Sequence, residues 1–476
     1  MTEMRPELFA RTDFLLAPER MLLSTGCEPG RAVAVRDGII AEVGPRDAVA
    51  AHHPDLVLQE IPGHLVMPGF IDAHHHLTQS FGKALAFGEP SEIFRRIWVP
   101  LERSLDAHGV YLASKLAALE ALRGGFTTVV DAGTRSEADV DAIARAAQET
   151  GLRCVLGFIC NDAAGAAGDR DQAAILRAAE QHLARWRGDG LVRPSLAISI
   201  PEAASDAMLR SVSRLAAEAG TIFQTHVNEH LVAVERSLVE RGLRPLEHLA
   251  AADALGPNVL IAHSTLITPA ELMLLARTDT AVAYNPVAST WKGNAVAPAE
   301  MMAELGIRFA IGTDGTRSDA FRMIDAAETL QRIAFGMGVG DFSCRGGWTW
   351  LDHATHDAAD AIGLKGVTGE ITVGHAADLL LVDISGPEFT PSWDLDWELV
   401  RFGNRDQIVA VLVAGRLRLW RGWPTDWDAR ALLREVRAVA EGVVAKAPIK
   451  RIHPTARDHR ARRLRAARDS TGSASD

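Results

Sequence analysis

Cysteine is scarce in this chain. Only Cys27, Cys154, Cys160 and Cys344 occur in 476 residues, and their spacing forms no disulfide framework. That excludes a disulfide-stapled secreted scaffold and fits a reducing compartment. Long apolar runs are also missing: none reaches the roughly eighteen residues needed to cross a bilayer, so no membrane partner is expected. No N-terminal stretch combines a basic region, an apolar core and a small-residue cleavage site, so the expected location is cytoplasmic. Positive charge is in deficit, with 50 Lys and Arg against 61 Asp and Glu. A net charge of −11 and a pI near 5.9 give no general reason to expect nucleic acid as a partner.

What remains is an ordinary globular composition, 47% hydrophobic and 23% charged. At about 150 residues per domain the length suggests two or three units. An α/β barrel commonly takes roughly 200–250 residues as one unit, which favours one barrel with a smaller attachment.

Residues 12–67 read as short strands: Asp13–Leu16, Arg31–Val35 running into Asp37-Gly38, and Ile39–Val43. A glycine turn between β-prone runs is a hairpin signal. From Val66 the pattern changes, and apolar strands are predicted near 66–72, 126–131, 154–160, 195–200, 222–227, 259–263, 281–285 and 308–313. Helices separate them. Ser136-Glu137-Ala138-Asp139 is expected to open one, with Ser136 as N-cap, and Gly151 to close it. Thr268-Pro269-Ala270-Glu271 reads as a capping box with proline at the first helical position.

Eight buried strands with intervening helices predict a (β/α)₈ TIM-type barrel. Leu379–Val382 and Ile408–Val413 read as later strands that return to the N-terminal ones. The expected division is therefore a small β-sandwich built from both chain ends (1–66 and 367–425) and a barrel over 67–366. Residues 426–476 are expected to form a C-terminal helix and a basic, partly disordered tail. Lys450, Arg451, Arg457, Arg460, Arg462, Arg463, Arg465 and Arg468 make the tail basic, and Ser470–Asp476 end it. On an acidic protein such a tail reads as a solvated arm or a subunit contact before a nucleic-acid site. A chain ending at Ala447 is expected to keep its activity.

Catalytic groups on such a barrel gather at the C-terminal ends of its strands. There the sequence places His74 and His76 on the first strand, His226 on the fifth, His263 on the sixth and Asp314 on the eighth. In extended backbone alternate side chains share a face, so His74 and His76 point together and His75 points away. A buried core histidine is the ordinary reading of any one of these alone. Recurrence at successive strand ends favours a metal site. Three neutral imidazoles and the Asp314 carboxylate can ligate a divalent ion and leave a position for water, whose pKa can fall to about 7.

Asp314 can also accept a hydrogen bond from that water. Glu229, three residues past His226, is placed to carry a proton to a substrate nitrogen and then to the leaving group. A carboxylate at a helix N-terminus is its plainer reading. His263 can orient the nucleophile or stabilise a tetrahedral intermediate. A two-metal site would want a bridging group such as a modified lysine on the fourth strand. The six lysines, Lys83, Lys115, Lys292, Lys365, Lys446 and Lys450, all fall off the predicted strands. One divalent metal ion per chain is expected, with zinc the first choice.

Pro68-Gly69-Phe70-Ile71-Asp72-Ala73-His74-His75-His76, the His226-x-x-Glu229 pair, His263 and Gly312-Thr313-Asp314-Gly315 resemble the amidohydrolase superfamily. Within it they resemble the branch of cyclic deaminases and triazine hydrolases, over roughly residues 12–425. The resemblance implies the barrel-plus-sandwich fold, His74, His76, His226 and Asp314 as ligands of a mononuclear zinc or iron, and Glu229 and His263 as catalytic. It also implies a homo-oligomer, a dimer or larger. The His-x-x-Glu pair favours deamination of an aminated N-heterocycle of purine, pterin, pyrimidine or triazine type.

Gln79, in His-His-His-Leu-Thr-Gln-Ser, matches a ring-binding glutamine of oxidised-purine and guanine deaminases; a buried glutamine bonding backbone is its alternative. Two departures, Asn285-Pro286-Val287-Ala288-Ser289 and Thr316-Arg317-Ser318-Asp319-Ala320, imply a non-standard pocket. Trp98, Asn161, Trp291 and Arg317 are candidate pocket residues, aromatics for stacking on a flat ring and Arg317 for an anionic group, with packing or surface roles as alternatives. The other readings are hydrolysis of an amide, urea, carbamate or different ring substituent at the same site, and a non-catalytic barrel.

Overall fold

Gly69 marks the seam between two sheets in the computed structural model, which describes residues 5–89, 93–163, 171–188, 190–340, 343–452, 458 and 460–466. Before it, β1 (Phe14–Leu23), β2 (Gly26–Glu28), β3 (Arg31–Arg36), β4 (Ile39–Pro45) and β5 (Leu58–Pro68) belong to a mixed sheet. After it come β6 (Phe70–His75), β7 (Phe126–Asp131), β8 (Arg153–Ile159), β9 (Val192–Ile198), β10 (Phe223–Val227), β11 (Val259–His263), β12 (Ala281–Tyr284) and β13 (Phe309–Ile311). These eight pair in sequence order, each parallel to the next. This is the barrel, and its strands are buried on both faces, which is why they read as unbroken apolar runs.

The chain then returns as β14 (Leu379–Asp383), β15 (Ile408–Val413) and β16 (Arg416–Trp420), giving the mixed-sheet order β16-β15-β14-β5-β1-β3-β4 with β2 on β1. Both chain ends thus build one sheet. Its alternation is plain in β1: Phe14 and Leu16 face one core, while Leu15 and Ala17 face another with Val49 of the helix Arg46–His52.

The predicted first barrel strand, 66–72, needs correction. Val66–Pro68 pair with β14 in the mixed sheet, and the barrel strand starts only at Phe70. One apolar run serves two sheets, and periodicity cannot show the seam. The helix expected to open at Ser136 begins instead at Asp141. Ser136 Oγ accepts the Ala138 N–H in a local turn and donates to the Leu105 carbonyl, so it caps nothing. Gly151 closes that helix in the left-handed region (φ +76°), and Thr268 with Glu271 forms the expected capping box.

Barrel closure lies between β6 and β13. The Asp314 N–H donates to the His74 carbonyl (2.8 Å), and the buried Asp72 carboxylate accepts the Thr313 N–H (2.8 Å) and the Thr313 hydroxyl. Nearby, the carbonyls of His353 and Ala354 accept from Ile311 and Ile71 N–H. Two loops and a shared carboxylate therefore fix the ends of the first and last strands to each other.

The helix Ala429–Lys446 follows the mixed sheet, capped by Asp428. Residues 448–452 then lie against Glu89 and Arg96, so the solvated-arm reading of the tail does not hold for them. Residues 460–466 include a helical turn, and Ser470–Asp476 lie outside the described residues. No helix among the described residues is long and apolar enough to cross a membrane.

Candidate active site

The C-terminal ends of β6, β10, β11 and β13 bring His74, His76, His226, His263 and Asp314 together. One ligand atom each from His74, His76, His226 and Asp314 lies within 4.8 Å of every other. His74 Nε2 and His76 Nε2 stand 3.4 and 3.3 Å from Asp314 Oδ1, and His226 Nε2 stands 3.2 Å from His76 Nε2. His75 points the other way and meets Ser318 Oγ at 3.2 Å.

The donor set fits a divalent ion. His226 Nδ1 lies 2.7 Å from the Ser199 carbonyl, a contact only an N–H can make, which leaves the Nε2 lone pair facing the cluster. His74 Nε2 is buried without a hydrogen-bond partner, the state expected of an imidazole awaiting a ligand. Burial pushes the His226 and His74 imidazoles below their ordinary range, so both are neutral and able to coordinate. His74, His76, His226 and Asp314 are thus arranged as a group that could hold a divalent ion.

Close packing shapes this end of the barrel. A Cβ on Gly312 would sit 2.4 Å from Asn285 Oδ1 and 2.9 Å from His74 N, so only glycine lets the β13 end approach the histidine pair. Four non-glycine residues here, Asn228, His263, Ser264 and Asp314, hold φ between +51° and +76°. Left-handed backbone costs free energy, and its clustering at one site marks geometry fixed by surrounding structure.

Glu229 sits in the turn after β10. His230, not Glu229, is the N-cap of the following helix Leu231–Arg241, so the carboxylate is no helix cap. Thr265 Oγ1 donates to the Glu229 carbonyl (2.8 Å), and Asn228 Nδ2 donates to Glu271 (2.8 Å), fixing the turn. The Glu229 carboxylate lies 3.7 Å from His263 Nε2, 3.0 Å from His230 Nε2 and 2.8 Å from Lys292 Nζ. Burial alone would raise its pKa, but His263, Lys292 and His230 beside it hold it well below the ordinary carboxylate range. Asn285 Nδ2 lies 3.2 Å from His263 Nδ1, which leaves His263 Nε2 to carry a proton towards the site.

Sequence reasoning missed Lys292. Its buried ammonium also bonds Asp314 Oδ2, so it bridges the cluster and Glu229. The available signal was a rare lysine ending the helix Pro286–Lys292, which starts directly after β12.

Gln79 and Trp98 line the cavity that contains His76, His226, Glu229 and Asp314. Gln79 Nε2 donates to the buried Glu102 at 3.4 Å. Asn161, Trp291 and Arg317 stand outside the lining of that cavity. Asn161 spends both ends of its amide on Ser199, Trp291 packs edge-on against Phe87 at 5.5 Å, and Arg317 is half-exposed beside Asp319. Asn161 instead borders a neighbouring recess that holds none of the four clustered ligands.

Residues 65–418 match the amidohydrolase family, and residues 32–55 match a bacterial imidazolonepropionase-like composite domain. The chain is 30% identical over 422 residues to a 5-methylthioadenosine/S-adenosylhomocysteine deaminase of Syntrophobacter fumaroxidans, covering 87% of this chain and 92% of that one. It is 28% identical over 429 residues to a 5'-deoxyadenosine deaminase of Methanosarcina acetivorans, covering 87% and 94%. Among solved structures, an adenosine deaminase from Xanthomonas campestris with bound zinc superposes with a TM-score of 0.82 at 25% identity, covering 91% and 99%. An atrazine chlorohydrolase of Arthrobacter aurescens shares the fold, with a TM-score of 0.79 at 18% identity over 90% and 100%. With a histidine–aspartate cluster at the strand ends and a family match across barrel and returning strands, the chain belongs to the amidohydrolase family and is a hydrolase of C–N bonds.

Proposed function

We propose that this protein deaminates an aminated N-heterocycle, with purine nucleosides as the first class to test. The observation that carries the reading is Glu229, a largely buried, ionised carboxylate between His263 and Lys292 in the cavity beside the four clustered ligands. The names of the 27–30% identical relatives, deaminases of 5'-modified adenosines, support a purine ring.

His74, His76, His226 and Asp314 would hold one zinc ion per chain, a donor set of imidazoles and a carboxylate that suits zinc. Bound there, a divalent ion lowers the pKa of a coordinated water to about 7, supplying a nucleophile near neutral pH. The residues do the rest. Asp314 accepts a hydrogen bond from the attacking water. Glu229 starts ionised, takes a proton from that water, and delivers it to the ring nitrogen beside the carbon under attack. Ionised again, Glu229 takes the remaining proton from the hydroxyl now on that carbon and passes it to the amine, which leaves as ammonia while the ring carbon becomes a carbonyl. His263 donates to the oxygen whose charge grows during attack.

Ile93, Phe94, Trp98 and Ile200 give the cavity an apolar wall for a flat ring. The four cysteines are free, which suits a cytoplasmic setting, and a homo-oligomer of two or more chains completes the reading. The test is a panel of aminated purines, pterins, pyrimidines and triazines given to metal-quantified protein, with ammonia followed. Release from the purine class supports the proposal. Silence across the panel, with metal bound, overturns it.

A further inference from the structure

We propose that residues 448–452 are a positioning element for the apolar wall of the active-site cavity, an inference that rests on that cavity being the substrate site. The wall residues Ile93, Phe94, Arg95 and Trp98 belong to one short stretch, with a π-helical turn over Phe94–Trp98. Such turns are uncommon and persist where surroundings hold them. Here the far end of the chain supplies the hold. The Lys450 N–H donates to the Arg96 carbonyl (3.0 Å), and Arg96 Nη1 returns a bond to the Lys450 carbonyl (2.9 Å). Arg96 thus joins the strap while its sequence neighbour Arg95 lines the cavity.

A second tie runs through Glu89, whose side chain is wholly buried. Its carboxylate accepts from Arg96 Nη1 (2.8 Å) and the Ile452 N–H (3.0 Å), and Arg451 Nε stands 3.4 Å away. Ile449 packs with Val443 and Val444 on the cluster of Ile93, Ile97 and Trp98. Loss of the strap removes the Ile452 N–H and the Arg451 guanidinium from a buried carboxylate, a costly change that favours movement of the segment over a static void. The strap touches no reacting group, so its effect falls on substrate binding common to ground and transition states.

The experiment compares the full chain, a chain ending at Ile452, a chain ending at Ala447, and Ile452→Pro, which lacks the N–H given to Glu89. Each is measured for KM, kcat, bound metal and amide hydrogen exchange over residues 93–98. We expect the Ile452 ending to match the full chain. The Ala447 ending and Ile452→Pro should raise KM about tenfold, keep kcat within about twofold, keep metal, and speed exchange over 93–98. Unchanged KM and exchange in both overturns the proposal. So does a fall in kcat or metal without a rise in KM, which is a general stability effect. If the Ala447 ending does not fold, Ile452→Pro decides alone. Should no substrate release ammonia, exchange over 93–98 still decides the strap, so its failure is distinguishable from failure of the deaminase reading.

Discussion

The Lys292 ammonium lies 2.8 Å from Glu229 Oε1 and bonds Asp314 Oδ2 with the same nitrogen. One cation therefore ties the Glu229 carboxylate to the carboxylate of the histidine–aspartate cluster. Both carboxylates are held ionised by it: burial would raise their pKa values, and its charge is among the forces that outweigh burial.

Lys292→Met removes that tie while keeping a side chain of similar length. We expect kcat to fall by about 10- to 100-fold, the range of one charge-assisted hydrogen bond, with metal content close to that of the parent. Lys292→Arg should recover part of the loss. Steady-state kinetics beside metal analysis checks this, and an unchanged kcat in Lys292→Met would remove Lys292 from the account.

His226 has its Nδ1 committed to the Ser199 carbonyl and its Nε2 facing His74, His76 and Asp314. His226→Ala should lose most bound metal after dialysis and purify with well under one ion per chain. Stoichiometric metal in that variant would take His226 off the ligand set.

That five side chains meet at one end of the barrel was legible in the sequence because each ends an apolar run that reads as a barrel strand. His74, His76, His226, His263 and Asp314 needed nothing beyond strand period and the rule of C-terminal ends. Lys292 was not legible as a site residue. It ends the helix after β12, where no periodicity says which side chain turns inward. Asn161, Trp291 and Arg317 were plausible by residue type alone, and type does not tell that Asn161 is consumed by Ser199. The Gly69 seam was hidden because Leu65–Ile71 is apolar throughout, although its two halves serve different sheets. The strap was invisible for another reason: it pairs Lys450 with Arg96 across 354 positions, through one backbone bond and one guanidinium bond, and nothing local in the sequence says which distant segment such groups will meet.

Away from the site, Glu149 joins two helices. It accepts from Tyr111 Oη (2.5 Å), Lys115 Nζ (2.5 Å) and Arg145 Nε (2.8 Å). Burial pushes its pKa up, but these donors and the lysine charge bring it down from 4.5 to about 2. A carboxyl depressed in the folded state contributes stability above its unfolded pKa and loses it as pH falls through the folded value. Glu149→Gln should therefore lower stability at neutral pH and flatten its decline between about pH 4.5 and 2. The effect should stay under about 1 kcal/mol, because the side chain is 37% exposed. Denaturant melts across that range check it, and identical pH profiles would contradict it.

The central claim is that Glu229 moves the proton that releases ammonia. Its most direct test sets the parent enzyme beside Glu229→Gln, both with metal quantified, and counts ammonia released per ring consumed from the best purine nucleoside found. The account predicts one ammonia per ring in the parent, and turnover lower by about 10²-fold or more in Glu229→Gln at equal metal content. Ring consumption without ammonia, or near-parental turnover in the variant, would contradict it.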